Sequence, residues 1–151
     1  MTVGYRNILV GTDGSESAAR AVEHAAALAK AFDARLTILT AFSPHSGEDI
    51  AKAQAEAPDD LKWMLTDAAQ AEDRAGAGRE LADRLGLKNV RTRVFRGDPA
   101  EALVETADDI GADAIVVGSK GMTGAGRFLL GSVPNRVSHH APCDLLIVHT
   151  V

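Results

Sequence analysis

Aromatic side chains make up only 4% of this chain of 151 residues. Packing must therefore rest on alanine, valine and leucine, which suits closely spaced helices with small contact residues. There is one cysteine, Cys143. A lone thiol closes no intramolecular disulfide, which fits a reducing compartment. No apolar run approaches the roughly 18 residues of a membrane span. The opening "MTVGYRNILV" has neither the apolar core nor the cleavage site of a signal peptide. The expected location is the cytoplasm, away from membranes. Basic charge is also short, with 16 Lys and Arg against 21 Asp and Glu. That balance argues against a nucleic-acid partner, which would demand a basic face. What remains is an ordinary globular composition, 46% hydrophobic and 25% charged, with a length that predicts one domain over residues 1–151.

The apolar runs alternate with helical patterns. "NILV" at 7–10 predicts a buried strand, followed by the turn "GTDGS". Ala21, Val22, Ala25, Leu28, Ala29 and Phe32 recur at helical spacing, with Ser15 as the expected N-cap. A second strand is predicted over 34–42. The polar stretch 43–60, broken by Pro44, Gly47 and Pro58, predicts a flap or a short helix. Leu61, Leu65, Ala68, Ala75 and Leu85 predict a second helix that Gly76 and Gly78 weaken. Trp63 is read as one of its packing residues. A third strand, near an edge, is expected over 89–97, where Arg91, Arg93 and Arg96 read as solvated edge charge. Asp98 and Pro99 predict a helix start and Gly111 its end. A fourth strand is expected at 113–118, a short helix in "SVPNRVSHHA", and a fifth strand at 144–151. This β-α alternation predicts an α/β fold, an open parallel five-stranded sheet with helices on both faces.

After the fourth strand comes "GSKGMTGAGRFLLGSVPN", residues 118–135. It holds five glycines, Lys120, Arg127 and no acidic residue. In an open parallel sheet, ligands bind beyond the carboxyl ends of the strands. Glycine lets backbone amides approach an anion closely. A helix start adds unpaired N–H groups and partial positive charge. Gly131 and Ser132 open the last helix, so a phosphate is expected there. A carboxylate in this stretch would repel such a ligand. The segment holds no G-x-x-x-x-G-K-[ST] loop, and no G-x-G-x-x-G follows the first strand. The alternative is a flexible surface loop before a capped helix.

Gly118, two residues, Gly121, nine residues, then Gly131-Ser132 forms the pattern G-x2-G-x9-G-[ST]. This resembles the nucleotide-binding motif of the universal stress protein family. "NILVGTDGSESAARAVEHA", "ADAIVVGSKG" and "GSVPNRVSHHAPCDLLIVH" resemble the family's opening, fourth-strand and closing segments. Residues 43–88 match only in outline. The resemblance implies the ATP-binding type, a Rossmann-like sheet of order 3-2-1-4-5, and a role in stress response. It would place Asp13 near the ribose with Thr12 beside it. Thr40 and Ala41 would face adenine with backbone groups. Gly118, Ser119, Lys120 and Gly121 would wrap the ribose and phosphates. Gly131, Ser132 and Val133 would hold phosphates. Pro134 lacks an N–H and removes one donor from that helix start. Cyclic AMP is therefore the alternative to ATP, and Mg2+ is the expected companion of a triphosphate.

A slow ATPase or phosphotransfer enzyme is the competing class. It would need a base or metal-holding carboxylates near the phosphates, and Asp13 is the sole acidic residue in the two loops. No catalytic residue and no metal ligand is assigned. A third reading is an interaction module whose dimer surface matters most, and a fourth a flavin-binding electron carrier, which the glycine spacing disfavours. Adjacent His139 and His140 are expected at the surface, and Cys143 is expected to be buried and inert. "DLLIVHTV" is apolar on both faces and lies at an edge in the order 3-2-1-4-5. It carries neither lysine nor proline, so a homodimer through residues 144–151 is expected.

Overall fold

The computed structural model describes residues 4–42, 67–119 and 132–150. Among the described residues, five strands and four helices follow one another: β1 Asn7–Gly11, α1 Glu16–Phe32, β2 Arg35–Phe42, α2 Asp67–Arg84, β3 Val90–Arg96, α3 Pro99–Ile110, β4 Ala114–Gly118, α4 Ser132–His140 and β5 Asp144–Val148. The strands form one parallel sheet in the order β3-β2-β1-β4-β5. The expected fold class and strand order are both present. The flap at 43–60, Trp63 and the predicted helical turns at 61–66 lie outside the described residues.

Alternation along the strands splits the apolar side chains between two cores. Ile8, Val10, Leu36, Ile38, Val90, Val116 and Val148 face α1 and α2. Leu9, Leu39, Ile115 and Val117 face α3 and α4, where they meet Leu103, Val133 and Val137. Because β1 and β2 are covered on both faces, they read as continuous apolar runs. The scarcity of aromatics is met by an alanine stripe on α1, with Ala18, Ala21, Ala25, Ala26 and Ala29 buried. Phe32 departs from the predicted stripe. It is 42% exposed and meets the Tyr5 ring edge-on, with centroids 5.3 Å apart. It sits in the last helical turn, where α1 has already run past the apolar floor of the sheet.

The helix ends follow the residue signals. Ser15 Oγ accepts from the Ala18 N–H at 3.1 Å, and Asp98 Oδ2 accepts from the Glu101 N–H at 3.0 Å. Gly111 closes α3 in the left-handed region at φ 66°. Gly78 corrects the expectation that both glycines merely weaken α2. A Cβ there would come 3.1 Å from Ile38 Cγ2 and 3.8 Å from Thr12 Cγ2. Gly78 is thus where α2 comes down onto β2. Gly76 has open space around it and keeps its helix-weakening role.

The fifth strand is shorter than expected. Pairing with β4 ends at Gly118↔Val148, and the chain then leaves the ladder. The Thr150 N–H donates to Ser119 Oγ at 3.3 Å, and Arg20 Nη1 donates to the Thr150 carbonyl at 3.3 Å. These bonds draw residues 149–150 towards the mouth of β4, so the strand at the edge is Asp144–Val148. Val151 lies outside the described residues. No helix among the described residues is long and apolar enough to cross a membrane.

Candidate functional site

The sheet order reverses between β1 and β4, which lie side by side with Val10 opposite Val116. A parallel α/β sheet opens a crevice at this point, because the chains leaving the two strands connect to helices on opposite faces. Here α1 follows β1 onto one face and α4 follows β4 onto the other. Residues 11–15 and the beginning of the glycine segment, Gly118–Ser119, therefore flank the same crevice. Since β4 and β5 are parallel, α4 runs back between them and begins at this end of the sheet.

The first turn is built from its own side chains. The Thr12 N–H donates to the Leu39 carbonyl at 2.9 Å, which holds the turn against β2. Thr12 is buried, and its Oγ1 accepts from the Gly14 N–H at 3.1 Å. Asp13 Oδ1 accepts from the Ser15 N–H at 2.9 Å. Short polar side chains favour such turns because they reach their own backbone two residues on. Asp13 thus has a structural task for one carboxylate oxygen. Gly14 sits at φ 82°, a conformation that an L side chain resists.

β2 supplies an unusual wall. Its register with β1 stops at Gly11↔Leu39, while its register with β3 continues to Phe42↔Arg96. Thr40 and Ala41 therefore lie beyond the β1 ladder, and their backbone borders the crevice on that side. Thr40 is fully buried, and its Oγ1 has no hydrogen-bond partner.

On the β4 side, the Ser119 N–H donates to the Val148 carbonyl at 2.8 Å. Its hydroxyl lies 3.5 Å from Thr150 Oγ1. Val133 is buried in the α3–α4 core, so in this helix start it has only its backbone to offer a ligand. Ser132 is the first residue of α4. Lys120, Gly121 and Gly131 lie outside the described residues. The structure thus brings Thr12, Asp13, Thr40, Ala41, Gly118 and Ser119 to one end of the sheet.

Two contributors were missed in the sequence. A Cβ at Gly14 would come 2.9 Å from Arg74 Cγ, so the Arg74 stem lies across the first turn. Thr150 braces Ser119. Neither carries a local signal, because both depend on elements that meet only after folding. His139 and His140 are exposed as expected, and no metal-holding cluster of His, Cys, Asp or Glu is present among the described residues. Cys143 is half-buried rather than buried. Burial, and then the nearby carboxylates of Asp144 and Asp113, push its thiol above the usual range, which keeps it protonated and unreactive.

Residues 4–149 match the Universal stress protein family. A universal stress protein of Mycobacterium tuberculosis is 44% identical over 149 residues, which cover 97% of each chain. Among solved structures, a universal stress protein in complex with cAMP is 34% identical, with a TM-score of 0.75 over 99% of this chain and 100% of that one. The universal stress protein UspA of Lactobacillus plantarum is 25% identical, with a TM-score of 0.76 over 97% of this chain and 99% of that one. The fold, the strand order and these likenesses agree along almost the whole length, and the chain belongs to the universal stress protein family.

Proposed function

We propose that the chain is a single-domain regulatory module that binds an adenine nucleotide between the 11–15 turn and the 118–133 segment. The observation that carries this reading is the adjacency of β1 and β4 at the reversal of the sheet, which brings the 11–15 turn and Gly118–Ser119 to one crevice. The residues fit the ligand. Asp13 keeps one carboxylate oxygen, Oδ2, beyond its turn bond, and a carboxylate can accept from two ribose hydroxyls. The backbone of Thr40 and Ala41 borders the crevice where the β1 ladder has ended, as adenine recognition requires. Gly118, Ser119, Lys120 and Gly121 would wrap the ribose and phosphates. Gly131, Ser132 and Val133 would offer phosphates the start of α4. Mg2+ would arrive with a triphosphate.

ATP is the ligand that the spaced glycines favour. A second reading, cyclic AMP, is carried by the relative solved with cAMP. Pro134, the third residue of α4, removes a donor that a triphosphate would otherwise use. Binding rather than chemistry is the assigned task, since Asp13 is the sole carboxylate in the two loops and is already engaged in its turn. The setting is cytoplasmic stress response, without nucleic acid or membrane as partner, in a homodimer joined along β5. Mass spectrometry of nucleotide released from purified protein, with calorimetric titration of ATP and cAMP, tests the reading. The expected result is saturable binding that Gly131→Val abolishes. Binding of neither nucleotide, or unchanged binding in that variant, overturns it. Single-turnover hydrolysis of ATP at an enzymatic rate would replace the module with an enzyme.

A further inference from the structure

Thr150, two residues past the end of β5, joins the two elements that flank the candidate crevice. The ladder between β4 and β5 ends at Gly118↔Val148. Beyond it, the Ser119 N–H donates to the Val148 carbonyl at 2.8 Å. The Thr150 N–H then donates to Ser119 Oγ at 3.3 Å. On its other side, the Thr150 carbonyl accepts from Arg20 Nη1, also at 3.3 Å. Arg20 lies in α1, the helix that follows the 11–15 turn, and Ser119 follows β4. Thr150 itself is buried. Its two backbone groups therefore connect α1 to the exit of β4.

This connection sets the hydrogen-bonding character of Ser119. A serine hydroxyl has one hydrogen to donate and two lone pairs. The Thr150 N–H occupies one lone pair of Ser119 Oγ. The Ser119 and Thr150 hydroxyl oxygens are 3.5 Å apart, well beyond the about 2.7–2.8 Å of a well-formed O–H···O bond. The Ser119 hydrogen is thus left for a better acceptor. An N–H bonded to its oxygen also polarises the hydroxyl towards donation. On a nucleotide, the group that suits such a donor best is a phosphate oxygen, which accepts only and carries charge. The ribose hydroxyls, which can donate, suit the carboxylate of Asp13 instead.

We propose that Thr150 and Arg20 are positioning residues for the nucleotide site. Arg20 holds the Thr150 backbone, and the Thr150 N–H holds Ser119 Oγ as a donor to a ligand phosphate, without either residue contacting the ligand. This role rests on the crevice being a nucleotide site, and it assigns Ser119 to phosphate rather than to ribose. It also makes affinity depend on a residue of α1 and on the residues that follow β5, both outside the glycine motif.

Calorimetric titration of the full chain with ATP, cAMP and adenosine tests the proposal in a double-mutant cycle of Arg20→Gln and Ser119→Ala. Arg20 is exposed, so its variants keep the fold. Ser119→Ala should weaken the phosphorylated ligand that binds by about tenfold, the loss of a charge-assisted hydrogen bond. Arg20→Gln should weaken it by about threefold, the scale of one net hydrogen bond. Arg20→Lys keeps a donor for the Thr150 carbonyl and should restore affinity. The double variant should bind as Ser119→Ala does, because Arg20 acts through that hydroxyl. No variant should bind adenosine more weakly than the wild type, since adenosine has no phosphate. Unchanged affinity in Arg20→Gln, additive losses in the double variant, or an equal loss for adenosine would each overturn the proposal while leaving the nucleotide site in place. A wild type that binds neither ATP nor cAMP would overturn both.

Discussion

Arg136 Nη1 donates to Asp98 Oδ1 at 2.8 Å, while the other oxygen of the same carboxylate caps α3. Asp98 begins α3 and Arg136 lies in α4. One side chain therefore ties the start of α3 to the middle of α4, the two helices that cover this face of the sheet. The pair is solvent-exposed, so its charge attraction adds little. Its value is positional, because it holds α4 against the start of α3.

Replacement of Asp98 by alanine is expected to lower stability by about 1 kcal/mol, the usual loss for an N-cap. The Glu101 N–H, and then Arg136, hold the Asp98 carboxyl below its ordinary value of 3.8. A lowered folded value means stability that is present above 3.8 and lost as pH falls through the folded value. Chemical denaturation of the wild type and Asp98→Ala from pH 7 to pH 2 checks this. The difference between them should persist to about pH 4 and shrink in stronger acid. A difference that grows towards acid would contradict it.

Asp13 separates a turn role from a ligand role. Asp13→Asn keeps an oxygen for the Ser15 N–H and removes the charge. Its melting temperature should stay near that of the wild type, while adenine-nucleotide affinity drops on the order of tenfold, a loss typical of a charge-assisted hydrogen bond. Calorimetry and thermal denaturation read the two effects separately. An unaltered affinity would confine Asp13 to the turn.

The two glycines of α2 should respond in opposite ways. Gly76 has nothing within 4 Å of an added Cβ, so Gly76→Ala should stabilise by up to about 1 kcal/mol. Gly78 faces Ile38 at 3.1 Å, so Gly78→Val should destabilise by about 1–3 kcal/mol through overpacking. Urea denaturation of both variants gives the signs. Equal effects would mean that α2 does not approach β2 as described.

The homodimer is tested at Ile147. The Asp144 N–H donates towards β4, to the Asp113 carbonyl. By alternation the Leu146 and Val148 N–H groups also point inward, and those of Leu145 and Ile147 point to the open edge. Leu146 leaves 42% of its surface exposed there. Ile147→Pro removes an outward donor and leaves the ladder to β4 intact, as proline at an edge strand does. Light scattering at micromolar concentration should give two chains for the wild type and one for the variant. A wild-type mass of one chain would rule the dimer out.

Much of this architecture is written locally. Ser15, Asp98 and Gly111 mark helix ends because capping needs only residues within one turn. The apolar runs of β1, β2 and β4 announce strands covered on both faces. The glycine spacing and its flanking segments resemble the family to which the chain belongs before any contact is known. Other features required the chain to fold. That Thr150 braces Ser119, that Arg74 crosses Gly14, and that Gly78 meets Ile38 each depend on how distant elements pack. Arg91 and Arg93 read as plain edge charge along the chain. Only the β2–β3 register sets them beside Arg35 and Asn7, because sheet register joins residues whose sequence separation carries no periodic signal.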